Sequence, residues 1–74
     1  MTDHILAVYV KPDGSRRVLI VRRNDGLYSY RLQLNIKRGE VSEWDQAGPY
    51  CGIYDAADTA ETEAASRVNW LRAS

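Results

Sequence analysis

The stretch Leu27-Tyr28-Ser29-Tyr30-Arg31-Leu32-Gln33-Leu34-Asn35-Ile36 decides the fold. From Tyr28 to Ile36 each even position is large and apolar, and Ser29, Arg31, Gln33 and Asn35 between them are polar. Side chains alternate across a strand with period two, so this run has one apolar and one polar face. On a helix the same residues would scatter around the circumference, and no breaker interrupts the run. It reads as a central antiparallel strand.

Turn signals on both sides extend the reading. Upstream, Arg16 to Arg23 is closed by Asn24-Asp25-Gly26, a three-residue loop with glycine in its last place. A type I turn followed by a left-handed glycine fits that sequence and sets Ile20 opposite Tyr30 and Val18 opposite Leu32. Earlier still, His4 to Val10 is closed by Lys11-Pro12-Asp13-Gly14-Ser15. Proline presets the first turn position and glycine accepts the third, so the same geometry predicts Lys11 facing Ser15 and Val10 opposing Arg16. Val8 then opposes Val18, Ala7 opposes Leu19, Leu6 opposes Ile20 and Ile5 opposes Val21. Downstream, Lys37-Arg38-Gly39 predicts a third hairpin with Leu32 against Trp44. These registers put Leu6, Val8, Val10, Val18, Ile20, Leu32, Leu34 and Trp44 on one face, where turn geometry and apolar pattern agree.

After a breaker-rich crossing at 46–54, in which Tyr50, Ile53 or Tyr54 is expected to press on the sheet, Asp55 is placed to cap a helix over 56–71. Its inner stripe would be Ala57, Ala60, Ala64, Val68 and Leu71. The expectation is one α+β domain over 1–74. It comprises a four-stranded antiparallel β-meander (strands near 4–10, 16–23, 27–36 and 40–46) with one C-terminal α-helix packed on one face. The 74 residues lie near the lower limit for a single unaided core, and 45% hydrophobic with 27% charged residues is a globular composition.

The net charge is zero but unevenly placed. Residues 1–39 carry eight Lys/Arg against three acids, and residues 40–74 carry two Arg against seven acids, so the halves are +5 and −5. A basic sheet and an acidic helix can neutralise each other in one domain, whereas strong nucleic-acid binders usually carry net positive charge. The lone Cys51 cannot form an internal disulfide. The start of the chain has no basic region followed by an apolar signal core, and no apolar run is long enough to span a bilayer. A cytoplasmic protein without a membrane partner is expected.

No catalytic, cofactor-binding or metal-binding residue is predicted. Cys51 and His4 are the only conceivable nucleophile and base, and nothing local pairs them. One Cys and one His make no recognisable zinc site. The glycines occur singly at turns, not in a phosphate-cradling loop. Carboxylates at 55, 58, 61 and 63 suit a capped, solvated helix face.

Two surfaces remain as functional candidates, both on the sheet face away from the helix. Ile5, Ala7, Tyr9, Leu19 and Val21 form an apolar patch rimmed by Arg17, Arg23, Arg31 and Asp45, on a face that should be polar if solvated. One helix covers only one face, so a partner is expected on the other. The leading partner is a second copy, because the first strand is a sheet edge. The alternative is nucleic acid, held by Arg17, Arg23, Arg31 and Tyr9 through phosphate pairing and base stacking. In support of the alternative, Gly52-Ile53-Tyr54-Asp55-Ala56-Ala57-Asp58-Thr59-Ala60 resembles, locally, the strand-to-helix joint of plant AP2-type DNA-binding domains. Those domains present a three-stranded sheet to DNA with a helix packed behind. Their basic-aromatic strand motif has no counterpart here, so the resemblance stays local.

Overall fold

The computed structural model describes residues 3–72. Five strands, β1 (His4–Val10), β2 (Arg16–Arg22), β3 (Tyr28–Arg38), β4 (Val41–Trp44) and β5 (Cys51–Tyr54), precede α1 (Ala57–Arg67) and a short α2 (Asn69–Arg72). The sheet order is β1-β2-β3-β4, with β5 also paired to β3. The architecture is therefore α+β, with the meander and C-terminal helix expected. The fourth strand is the part that differs. Instead of one strand over 40–46, β4 follows the second half of β3 and β5 follows the first half. Two isolated bonds bridge the gap, from the Asp45 N–H to the Leu34 carbonyl (2.9 Å) and from the Gly48 N–H to the Leu32 carbonyl (2.8 Å). A Cβ on Gly48 would sit 3.3 Å from that carbonyl oxygen, so glycine is what lets the chain come this close.

The β2/β3 register is as the turn chemistry requires, with Ile20 on Tyr30 and Val18 on Leu32. The other two hairpins are displaced. In the first, the Asp13 carboxylate accepts the Ser15 N–H (2.9 Å) and hydroxyl (2.6 Å), which draws Ser15 into the loop. Pairing then starts at Lys11 and Arg16, through a 2.8 Å bond from the Lys11 N–H to the Arg16 carbonyl. Val10 lies opposite Arg17, Val8 opposite Leu19 and Ala7 opposite Ile20, and a bulge between Ile5 and Ala7 restores the expected Ile5–Val21 pair. In the third hairpin β3 runs on to Arg38, and Gly39-Glu40 forms a two-residue turn. Gly39 has φ 66° and Glu40 does not enter the left-handed region, the pattern of a type II′ turn. Trp44 therefore faces Asn35 and not Leu32, on the opposite side of the sheet from that expected.

The core is built from Val18, Ile20 and Tyr30 of the sheet against Ala60, Ala64 and Leu71. Two buried alanines let α1 lie close to the strands. Ala7, Tyr9, Tyr28, Cys51 and Tyr54 pack around this centre. The single helix expected over 56–71 is interrupted at Val68, whose backbone is extended (φ −106°, ψ 105°), and α2 then delivers Leu71 to the core. Asp55 does not cap α1: Ala56 occupies that position in an extended conformation without a side-chain bond. Because α1 stops at Arg67, it does not reach the far end of β3. Leu32 and Leu34, expected at the core's centre, are 44% and 51% exposed. No helix among the described residues is long and apolar enough to cross a membrane.

Candidate interaction surface

Residues paired across strands share a face, so the register assigns each side chain. The face away from α1 carries Ile5, Val8 and Val10 from β1, Arg17, Leu19 and Val21 from β2, and Ser29, Arg31 and Gln33 from β3. Of the five residues expected in the apolar patch, Ile5, Leu19 and Val21 lie there. Ala7 and Tyr9 do not, because the four-residue first loop turns them to the helix side, where both pack on the core. Val8 and Val10 take their places.

The patch is closed at its floor and open at its rim. Leu19 and Val21 are 5% and 1% exposed, at the bottom of a depression of about 250 Å³ bordered by Ile5, Arg31, Asp3 and Ala47. Ile5, Val8 and Val10 are 53%, 44% and 50% exposed, and Leu6, the extra residue of the bulge, is exposed as well. All four belong to β1, which pairs only with β2 and is one edge of the sheet, β4 and β5 forming the other. Since Lys11 and Arg16 are a bonded pair, the ladder alternation over 7–10 directs the amides of Ala7 and Tyr9 toward β2 and those of Val8 and Val10 outward.

The floor is covered by a clamp formed from parts of the chain far apart in sequence. Arg31 extends from β3 and donates to the Asp3 carboxylate (2.9 Å), the Gly48 carbonyl (2.6 Å) and the Ala47 carbonyl (3.2 Å). Tyr50 donates its hydroxyl to the other Asp3 oxygen, and the Arg31 and Arg23 guanidiniums each lie 4.8 Å from its ring centre. Burial works to raise the Asp3 carboxyl, but the bonds from Tyr50 and Arg31 and the charges of Arg31 and Arg23 outweigh it. Asp3 is held below its ordinary 3.8. Bonding to that carboxylate, with some burial, raises the Tyr50 phenol above 10.0. Asp45, expected beside Arg31, instead makes backbone bonds to Leu34 and to Gln33.

Arg17, Arg23 and Arg31 do share this face, but Tyr9 is not with them. Its hydroxyl donates to Glu61 of α1 (2.7 Å), and that bond, ahead of burial, raises its pKa. The aromatic partners of the arginines are Tyr50 and Trp44; Arg17 lies 4.2 Å from the Trp44 ring centre and donates to Gln33 (2.5 Å). Arg23 is paired with Asp25 at 3.0 Å. Of the clamp, the sequence singled out only Arg31, as part of the rim of the apolar patch. Nothing local pointed to Asp3 or Tyr50.

Cys51 and His4 are apart, on β5 and β1, with β3 and β2 between them. The Cys51 thiol donates only a weak 3.7 Å bond to the Pro49 carbonyl. Among the described residues no group of three or more His, Cys, Asp or Glu is placed to hold a metal ion. The chain matches no family model, no curated protein and no solved structure.

Proposed function

We propose that this chain is a small non-catalytic interaction module that self-associates through β1. The observation that carries the reading is the character of that edge: seven residues long, free of proline and of Lys or Arg, with Ile5, Leu6, Val8 and Val10 exposed. Edge strands of stable monomers are usually blunted by charge, proline or cover. Here the bulge at Leu6 limits the regular run to Ala7–Val10, which still offers two outward amides and two exposed valines. Two copies related by a twofold axis would pair these runs antiparallel and extend the sheet across the interface. A cytoplasmic setting, supported by the single free cysteine, belongs to the same reading.

Sedimentation equilibrium tests it. The wild type is expected as a dimer at high micromolar concentration, and Val8→Lys as a monomer with unchanged circular dichroism. Leu19→Lys is unsuitable, because Leu19 is buried and the charge would disrupt the domain itself. A monomeric wild type, or a Val8→Lys protein that stays dimeric, would overturn the reading.

A second reading, nucleic-acid binding by the same face, is favoured by Arg17 over Trp44 and Arg23 over Tyr50. It uses those two pairs and not Tyr9, and Arg31 is already engaged by three acceptors. Salt-sensitive binding of a single-stranded oligonucleotide, lost in Arg17→Gln, is its expected signature.

A further inference from the structure

On the helix side of the sheet, beyond the end of α1, a cleft of about 310 Å³ is lined by Leu32, Leu34, Val68 and Trp70 together with Arg16 and Arg67. It exists because the chain leaves the helix at Val68, so that α2 stands beside β3 without covering it. The apolar walls are accessible: Leu32 and Leu34 are about half exposed, and Val68 and Trp70 are half-buried. Arg16 and Arg67 are exposed, and neither has an ion-pair partner among the described residues, where the ion pairs are those of Lys11, Arg23, Arg31 and Arg38.

We propose that this cleft binds a small-molecule carboxylate carrying an apolar tail or ring. Charge complementarity selects the head group. Arginine offers parallel N–H donors that match a carboxylate, and a neutral polar head would leave both cations unanswered. The tail is selected by two leucines, a valine and an indole, which form an apolar wall with no acidic side chain in it. The volume, at the lower end for ligand sites, selects the size. At roughly 30 Å³ for each water molecule displaced, it accommodates about ten non-hydrogen atoms. This site lies on the opposite side of the sheet from Ile5, Val8 and Val10 and is independent of self-association through β1.

Titration of the full chain with octanoate, followed by amide chemical shifts and by the Trp70 indole, tests the proposal. Octanoate is expected to saturate, with shifts concentrated at Leu32, Leu34, Val68 and Trp70. Octan-1-ol, which keeps the tail and removes the charge, is expected to bind about tenfold more weakly, the equivalent of one charge-assisted hydrogen bond. Arg67→Gln should weaken octanoate by a similar factor, and Arg16→Gln provides the same reading if the first variant does not fold. Arg22→Gln removes an exposed arginine outside the cleft and should change nothing. Equal binding of octanol and octanoate, equal weakening by Arg22→Gln, shifts centred elsewhere, or no saturation at millimolar ligand would each overturn it.

Discussion

Ile20 and Leu32 lie on the same face of the sheet, yet truncating them should have very different consequences. Ile20 is 1% exposed beneath α1, whereas Leu32 is 44% exposed beyond the helix end. Ile20→Ala removes three carbons, worth about 0.8 kcal/mol each on burial, or about 2.4 kcal/mol. The cavity left under the helix adds to this, for a total of about 3–4 kcal/mol. Leu32→Ala forfeits only the buried half of its transfer energy, about 1.3 kcal/mol, and opens no closed cavity. A domain of this size holds only about 3–5 kcal/mol in total, so Ile20→Ala should be at or past the folding threshold. Ile20→Val, at about 1 kcal/mol, keeps the position measurable. Urea denaturation followed by circular dichroism gives the free energies, and thermal midpoints should fall by about 4–8 °C per kcal/mol. If Leu32→Ala were as costly as Ile20→Ala, the helix would have to extend over the far end of β3, and both the core and the adjacent cleft would be misplaced.

The Asp3 carboxyl titrates below its ordinary 3.8 in the folded protein, so the unfolded chain takes up the proton first as pH falls. Its contribution to stability should therefore be complete above about pH 5 and be lost as pH falls through its folded value, with Asp3→Asn removing that part of the acid dependence; an unchanged acid slope in the variant would count against the clamp. Gly48→Ala places a methyl 3.3 Å from the Leu32 carbonyl and should cost about 1 kcal/mol as the loop gives way by a few tenths of an ångström, measured by urea denaturation. A neutral or stabilising Gly48→Ala would mean that the 45–50 segment does not hold its close approach to β3.

The β2/β3 pairing was legible because two signals agreed: the Asn24-Asp25-Gly26 turn and strict alternation along β3 select one register, and a slip of one residue would expose the whole apolar face. The alanine spacing of α1 was legible for a similar reason, since Ala60 and Ala64 are both buried. Where only one signal existed, the reading failed. Trp44 had a turn to place it but no alternating pattern around it, and Gly39 serves equally as the last residue of a three-residue loop or the first of a two-residue turn. The break at Val68 carries no glycine or proline to announce it. The Asp3–Tyr50 bond joins positions 47 apart and leaves no local trace.

β1 is the instructive failure, because it is apolar on both faces and its composition cannot choose a register. In the expected register Leu6, Val8 and Val10 would lie beneath α1, with Ala7 and Tyr9 outside. In the structure Ala7 and Tyr9 take the inner positions. The exchange packs Ala7 and Tyr9 against the core and brings the Tyr9 hydroxyl to Glu61 on the helix surface. It also sends Val8 and Val10 outward, to join Ile5 on the β1 edge. The loop bonds of Asp13 to Ser15 that add one residue to the first turn thus act at two places at once. They set which β1 side chains pack on the core and which are left exposed. If β1 is the self-association edge proposed above, a substitution that weakens the Asp13–Ser15 turn, such as Asp13→Ala, should lower the dimer fraction in sedimentation equilibrium without touching β1.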